Sequence, residues 1–202
     1  MTRAANPELP EKILAAAERV VVDSGHEALN MRGLARSVGV TATAIYHYFE
    51  NKEALLLQVK LRAAGMLNQR IRGLDPGLDP METLHRLGQQ YITFAETHPN
   101  LYRLLFETPI GSAPLGEAEQ PVLYFTYRVA RSALERLAAA KQYPFDPRYG
   151  AMMGWTALHG FCSLLMSGSL QLAEGMNREQ LKELFLRFYT GGGMAQRHGG
   201  GA

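Results

Sequence analysis

Several things are scarce in this sequence, and each scarcity excludes something. Among 202 residues there is one cysteine, Cys162. A lone thiol excludes an internal disulfide framework and a structural zinc site of several thiolates. Set in an uncharged segment, it reads as a small buried hydrophobe. Charge of one sign is also missing: 21 Lys and Arg against 19 Asp and Glu leave a formal +2. A nucleic-acid partner would therefore have to be met by a local patch, not by a basic domain. Alternating segments of strand length are absent, as is any internal repeat, so an all-α fold is expected. No H-E-x-x-H spacing, no Gly-rich phosphate loop and no nucleophile–base pair can be found, and the six histidines are scattered. An enzyme, a metal site and a cofactor are all unexpected on these grounds.

Long charged interruptions are lacking in one place. Tyr149 to Ala173 holds 25 residues without Asp, Glu, Lys or Arg, where a membrane span needs roughly 20 apolar ones. The run also holds Gly150, Gly154, Gly160, Thr156, His159, Ser163, Ser167 and Gln171. A lone helix in lipid would submerge all of these, so a buried interface helix is expected and a membrane partner is not. Residues 1–6 carry only Arg3 as a positive charge and no signal-length apolar core follows, so no secretory leader is expected and a cytoplasmic location is.

What is present is helical punctuation. Ile13, Leu14, Ala17, Val20 and Val21 recur at helical spacing before Gly25. Asn30, Thr41 and Asn51 are candidate N-caps, predicting helices from there to Val38, from Ala42 to Phe49, and on to about Arg72. Asp79, Pro80 and Glu82 open another helix after the breaker Asp75-Pro76-Gly77. A short helix is expected after Pro99, and a single long one over Glu119–Lys141 with Phe125, Val129, Ala133 and Leu137 on its stripe. Asp146-Pro147 starts the uncharged helix. Asn177 and Gln180 form a capping box for the last, with Leu181, Leu184, Phe185 and Phe188 expected on one face. The expected organisation is a three-helix head at 1–58, a helical bundle at 59–191, and a mobile tail at 192–202.

The segment from Leu29 to Leu55 carries the function. A helix, a turn holding Gly39 and a second short helix are the parts of a helix-turn-helix. Leu34, Ala35, Val38, Val40, Ile45 and Phe49 supply the apolar seam. With Ile45 and Phe49 inward at i and i+4, the 100° step per residue points Thr43 and His47 outward, with Ala44 and Tyr46 on the flanks. Small Ala42, Thr43 and Ala44 let the helix enter a groove closely. Tyr46 and Tyr48 can hydrogen-bond phosphates, and Lys52, at a helix start where a cation opposes the macrodipole, also suits a phosphate. Residues 28–49 hold Arg32 and Arg36 and no acid, and residues 54–74 hold Lys60, Arg62, Arg70 and Arg72 and no acid. Arg32 reads equally as a solvated charge or as a guanine contact.

The run Gly39-Val40-Thr41-Ala42-Thr43-Ala44-Ile45-Tyr46-His47-Tyr48-Phe49, followed by Asn51-Lys52-Glu53-Ala54-Leu55, resembles the DNA-binding head of the TetR (tetracycline-repressor) family of bacterial regulators. The resemblance covers roughly residues 10–58. It implies double-stranded DNA as partner, with Arg32, Thr43, Ala44, Tyr46, His47, Tyr48 and Lys52 at contact positions. It further implies a homodimer whose helical remainder binds a small-molecule effector. Met31 departs from the pattern, standing where Ser or Thr is common. Trp155-Thr156-Ala157-Leu158-His159-Gly160 is similar to the Trp-His-Gly pattern of one C-terminal domain type in that family.

The expected function is a repressor released from a near-palindromic operator by a small, largely apolar molecule. The same fold acting as an activator or without a ligand is the alternative. Tyr91, Phe94, His98, Tyr102, Phe106, Tyr124, Tyr127, Trp155 and His159 are candidates to line an effector pocket. Trp155 and His159, one turn apart, read first as a core Trp packed beside a hydrogen-bonded His and second as pocket residues. Gly150, Gly154 and Ala157, with the last helix, are the candidate dimer face.

Overall fold

The computed structural model describes residues 7–109, 115–140, 142, 146–172 and 176–190. Its α-helices are α1 (Leu9–Ser24), α2 (Met31–Val38), α3 (Ala42–Tyr46), α4 (Lys52–Arg72), α5 (Pro80–Thr97), α6 (Pro99–Phe106), α7 (Glu119–Leu123), α8 (Phe125–Ala139), α9 (Pro147–Met166) and α10 (Arg178–Tyr189), with two short 3-10 turns at His26–Ala28 and Ser169–Leu172. No strand occurs among the described residues. The fold is all-α. The chain divides into two compact units, one of residues 1–66 with 98–123 and one of residues 67–97 with 124–202.

In the first unit, α1 packs against α2 and α6, and α2 against α3. The apolar residues at helical spacing do the work: Ile13, Ala17 and Val21 of α1, Leu34 and Ala35 of α2, Leu55, Val59 and Ala63 of α4, and Leu101 and Leu104 of α6 are buried. Two basic side chains of α4 are drawn inward. Lys60 is 3% exposed and its ammonium donates to the carbonyls of Thr108, at 3.0 Å, and Pro109, just past the end of α6. Burial pushes its pKa below the ordinary lysine value. Arg62 donates to Glu18, at 3.1 Å, and to Glu11 on α1. Burial alone would lower the Arg62 pKa, but these hydrogen bonds and charges raise it. Lys60 and Arg62, counted from sequence as part of a basic patch, are therefore spent on internal contacts.

In the second unit, α5 packs on α8 and α9, α8 on α9, and α10 on α5 and α9. Leu84, Leu87, Tyr91 and Phe94 of α5 meet Ala130, Ala133, Leu134 and Leu137 of α8 and Leu158, Cys162 and Leu165 of α9 in a buried core. Asp79 caps α5 through the Met81 N–H at 2.8 Å, and Asn177 with Gln180 makes the capping box of α10. Lys182 of α10 donates to Glu96 of α5 at 2.9 Å, and Arg178 donates to the Leu165 carbonyl of α9. Phe185 stacks on Phe161 with ring centroids 4.1 Å apart.

Two expectations are corrected here. The helix expected over Glu119–Lys141 is broken at Tyr124, where φ is −101° and ψ 14°, and the chain passes from the first unit to the second at that point. Leu184 and Phe188, on the apolar face expected of α10, are exposed, while Leu186, off that face, is buried. Gly154 does not belong to an outward face. A β-carbon there would stand 2.9 Å from the Tyr189 hydroxyl of α10, so the glycine serves helix approach inside this unit.

An outward apolar stripe remains. Tyr149, Met152, Met153 and Ala157 recur along α9 at three- and four-residue spacing, Leu164 follows two turns on, and all are exposed, Met153 by 62%. Leu184 and Phe188 of α10 are also exposed, Phe188 by 65%. Gly160 on α9 has nothing within 4 Å of its β-carbon position. Among the described residues no helix is long and apolar enough to cross a membrane.

Candidate nucleic-acid interface

Three helix starts within 22 residues are each written in a side chain. Asn30 Oδ1 accepts from the Gly33 N–H at 2.7 Å and starts α2. Thr41 Oγ1 accepts from the Ala44 N–H at 3.2 Å and starts α3. Asn51 Oδ1 accepts from the Ala54 N–H at 2.7 Å and starts α4. Each satisfies an orphan donor that the helix itself cannot.

Between α2 and α3 the chain must turn at once. Gly39 adopts φ 75° and ψ 30°, a left-handed conformation that costs an L-residue roughly 1–2 kcal/mol. Its N–H bonds the Arg36 carbonyl at 3.2 Å, and the Val40 N–H bonds the Ala35 carbonyl at 3.0 Å. That pair of bonds is a Schellman end, which closes α2 and aims α3 across it.

α3 is shorter than the spacing predicts. Regular helix ends at Tyr46, not at Phe49. His47 and Phe49 still bond back to the carbonyls of Thr43 and Ile45, at 3.2 and 2.9 Å, but the Tyr48 N–H bonds only three residues back, to Ile45, at 2.9 Å. The chain is tightening into the turn that Asn51 must end.

Ile45 and Phe49 point inward and are buried with Leu34 and Ala35. Thr43, Tyr46 and His47 face outward, Tyr46 by 50%. Ala42, Ala44 and Tyr48 are half-buried on the flanks. The His47 and Tyr48 rings meet edge-on, with centroids 5.1 Å apart. Arg32 and Arg36 are exposed along α2. Lys52 is half-buried, its ammonium 3.4 Å from the Glu27 carbonyl. Met31 is buried, so the position offers no outward group. No acid lies in the first turn of α2, where the macrodipole would favour one, and Arg32 occupies it instead.

The effector-pocket candidates fall into both units. In the second, the Trp155 indole N–H donates to the Tyr91 hydroxyl at 3.3 Å. The Tyr127 ring lies 6.4 Å from that of Trp155, and its hydroxyl donates to the Arg148 carbonyl at 3.3 Å. Tyr91 and Phe94 are buried, His159 and Tyr127 half-buried, and Tyr124 and Trp155 more open. In the first unit, the Tyr102 and Phe106 rings stand 5.1 Å apart. Tyr102 is buried, and Phe106 and His98, at the start of α6, are half-buried. Sequence reading missed the interior place of Lys60. Its signal was positional: Leu55, Val59 and Ala63 form the buried stripe of α4, and Lys60 stands beside Val59 and one turn before the buried Ala64.

Comparison with known proteins places this geometry. Residues 13–59 match the model described as bacterial regulatory proteins, tetR family. Residues 84–188 match a tetracyclin repressor-like C-terminal domain. An uncharacterized HTH-type transcriptional regulator of Mycobacterium tuberculosis is 23% identical over 195 residues, covering 95% of this chain and 85% of that protein. Among solved structures, the fatty acid degradation regulator FadR of Bacillus halodurans is similar with a TM-score of 0.65 and 18% identity, covering 94% of this chain and 98% of that one. AibR in complex with isovaleryl coenzyme A and operator DNA is similar with a TM-score of 0.58 and 19% identity, covering 89% and 96%.

Proposed function

The chain belongs to the tetR family of bacterial regulatory proteins and is a transcriptional regulator with a DNA-binding helix-turn-helix, and from that premise we propose that it is a cytoplasmic, homodimeric repressor released from DNA by a small, largely apolar molecule. The observation that carries the reading is the outward face of α3. Thr43, Tyr46 and His47 stand above the buried Ile45 and Phe49, so a compact head presents them to a major groove. Ala42 and Ala44 keep the flanks small enough for close approach. Tyr48 and Lys52 reach phosphates beside the groove, and Arg32 reaches either a phosphate or a guanine edge.

The exposed stripe of α9 with Leu184 and Phe188 of α10 supports pairing of two chains. Apolar area of this kind on one face is what an obligate homodimer covers. A two-fold pair would set the two α3 helices about one DNA turn apart, ~34–36 Å, and so select a near-palindromic site. An effector held among the aromatic residues of the C-terminal region would favour the arrangement in which that spacing is lost. Such release requires tighter binding of effector to the DNA-incompetent state. The AibR complex holds isovaleryl coenzyme A and operator DNA, which supports a fold suited to both kinds of partner.

Selection of bound sequences from a random duplex library tests the proposal. Enrichment of a site with two inverted halves, bound by a dimer and released by a member of a library of acyl and aromatic compounds, is the expected result. Enrichment of no common sequence, or binding by a single chain, overturns it.

A further inference from the structure

The reading face of α3 is unusual in what it cannot do. From Gly39 to Phe49 there is no Arg, Lys, Asn, Gln, Asp or Glu. Those are the side chains that grip two adjacent groups of a base edge at once, or accept from cytosine. What α3 offers outward is a threonine, a tyrosine and a histidine, with alanines at its flanks. Thr41 is already spent, its Oγ1 accepting from the Ala44 N–H. Thr43 is exposed, and among the described residues its side chain has no hydrogen-bond partner. Its γ-methyl and the β-carbons of Ala42 and Ala44 are the apolar atoms of the leading half of the helix.

In the major groove of DNA the only apolar feature on a base edge is the C5-methyl of thymine. We propose that α3 reads sequence chiefly by that methyl, with the Thr43 γ-methyl as the specificity-determining group and the neighbouring alanines as the rest of its receptor. The inference rests on the DNA-binding reading above and names the feature that the reading selects. Two-pronged recognition of a purine then falls to α2, where Arg32 and Arg36 are exposed. The operator half-site should carry a thymine against α3, and any guanine that is read should lie against α2.

The test separates a methyl from a hydrogen bond. In the selected operator, each thymine is replaced in turn by deoxyuridine, which removes the methyl and leaves the pairing edge intact. Wild-type protein should bind about fourfold more weakly when the critical thymine of one half-site is changed, and about fifteenfold more weakly when both are, from one buried carbon per half-site. Thr43→Ser keeps the hydroxyl and loses the methyl, and should bind the two operators alike. Thr43→Val keeps the methyl and loses the hydroxyl, and should preserve the ratio while total affinity falls. Both substitutions are at an exposed position, and a circular dichroism spectrum checks that the fold is kept. Equal binding of thymine and deoxyuridine operators by wild type overturns the inference, while the regulator reading stands as long as the selected site still outcompetes scrambled duplex. Loss of that preference overturns both.

Discussion

Gly154 of α9 lies directly against Tyr189 of α10: a β-carbon on the glycine would come within 2.9 Å of the hydroxyl and 3.3 Å of the ring. The close approach of the two helices depends on the absent side chain. Gly154→Ala should therefore destabilise the chain by about 1 kcal/mol, because crowding of about 1–3 kcal/mol outweighs the helix preference of alanine. Gly65→Ala, at a site with nothing within 4 Å, should stabilise it by up to about 1 kcal/mol. Thermal unfolding midpoints moving in opposite directions, by about 3 °C each, are the expected result. Equal shifts would mean that the Gly154 contact does not limit packing.

Lys60 predicts a pH dependence. Its folded pKa is lowered by burial, so in the window just below the ordinary value of 10.5 the unfolded chain binds more protons than the folded one. Stability contributed at this position then rises with pH through that window. Lys60→Met should cost roughly 1–3 kcal/mol at neutral pH, because the carbonyls of Thr108 and Pro109 lose their donor. The gap between wild type and variant should widen as pH climbs from 8 toward 10.5. Chemical denaturation of both proteins across that range measures it, and a constant gap would show that burial does not perturb the lysine.

The exposed stripe of α9 and α10 predicts the oligomeric state. Leu184→Glu with Phe188→Glu changes two exposed side chains and should leave the helical content intact. Sedimentation equilibrium should report a dimer for wild type and a single chain for the variant. Operator affinity should drop about 100-fold or more as the two half-sites lose their linkage. A variant that still pairs would place the dimer contact elsewhere.

The small number of outward cations predicts a shallow salt response. Among the described residues of the helix-turn-helix segment, 28–58, these are Arg32, Arg36 and Lys52; Lys12 and Arg19 are exposed on α1, outside that segment, and Lys60 and Arg62 are engaged internally. A dimer should then show a log–log dependence of affinity on salt no steeper than about −5. Lys52→Ala should flatten it by about 2. Titration of the selected operator at several salt concentrations gives the slope, and a value near −10 would require cations from another surface.

Much of this fold was legible because local chemistry writes helix starts. Asn30, Thr41, Asn51, Asp79 and Asn177 each cap the helix that the spacing predicts. The inward turn of Ile45 and Phe49 followed from a 100° step alone. What stayed hidden was decided by tertiary neighbours. Nothing local in Tyr124 marks the point where the chain leaves one unit for another. α10 has apolar residues on two sides, so periodicity could not say whether Leu184 or Leu186 would be covered. A lysine beside an apolar stripe reads as solvated until the carbonyls past α6 are placed around it. Aromatic type alone does not say that Trp155 reaches the Tyr91 hydroxyl while Tyr102 packs with Phe106 in the other unit.

The reading segment is closed at both ends by its own side chains, Thr41 before it and Asn51 after it, and two inward anchors, Ile45 and Phe49, tie it to the head. It is thus a cassette. Exchanging only positions 42, 43, 44, 46 and 47 should re-address the protein to another DNA sequence while its scaffold is carried over unaltered.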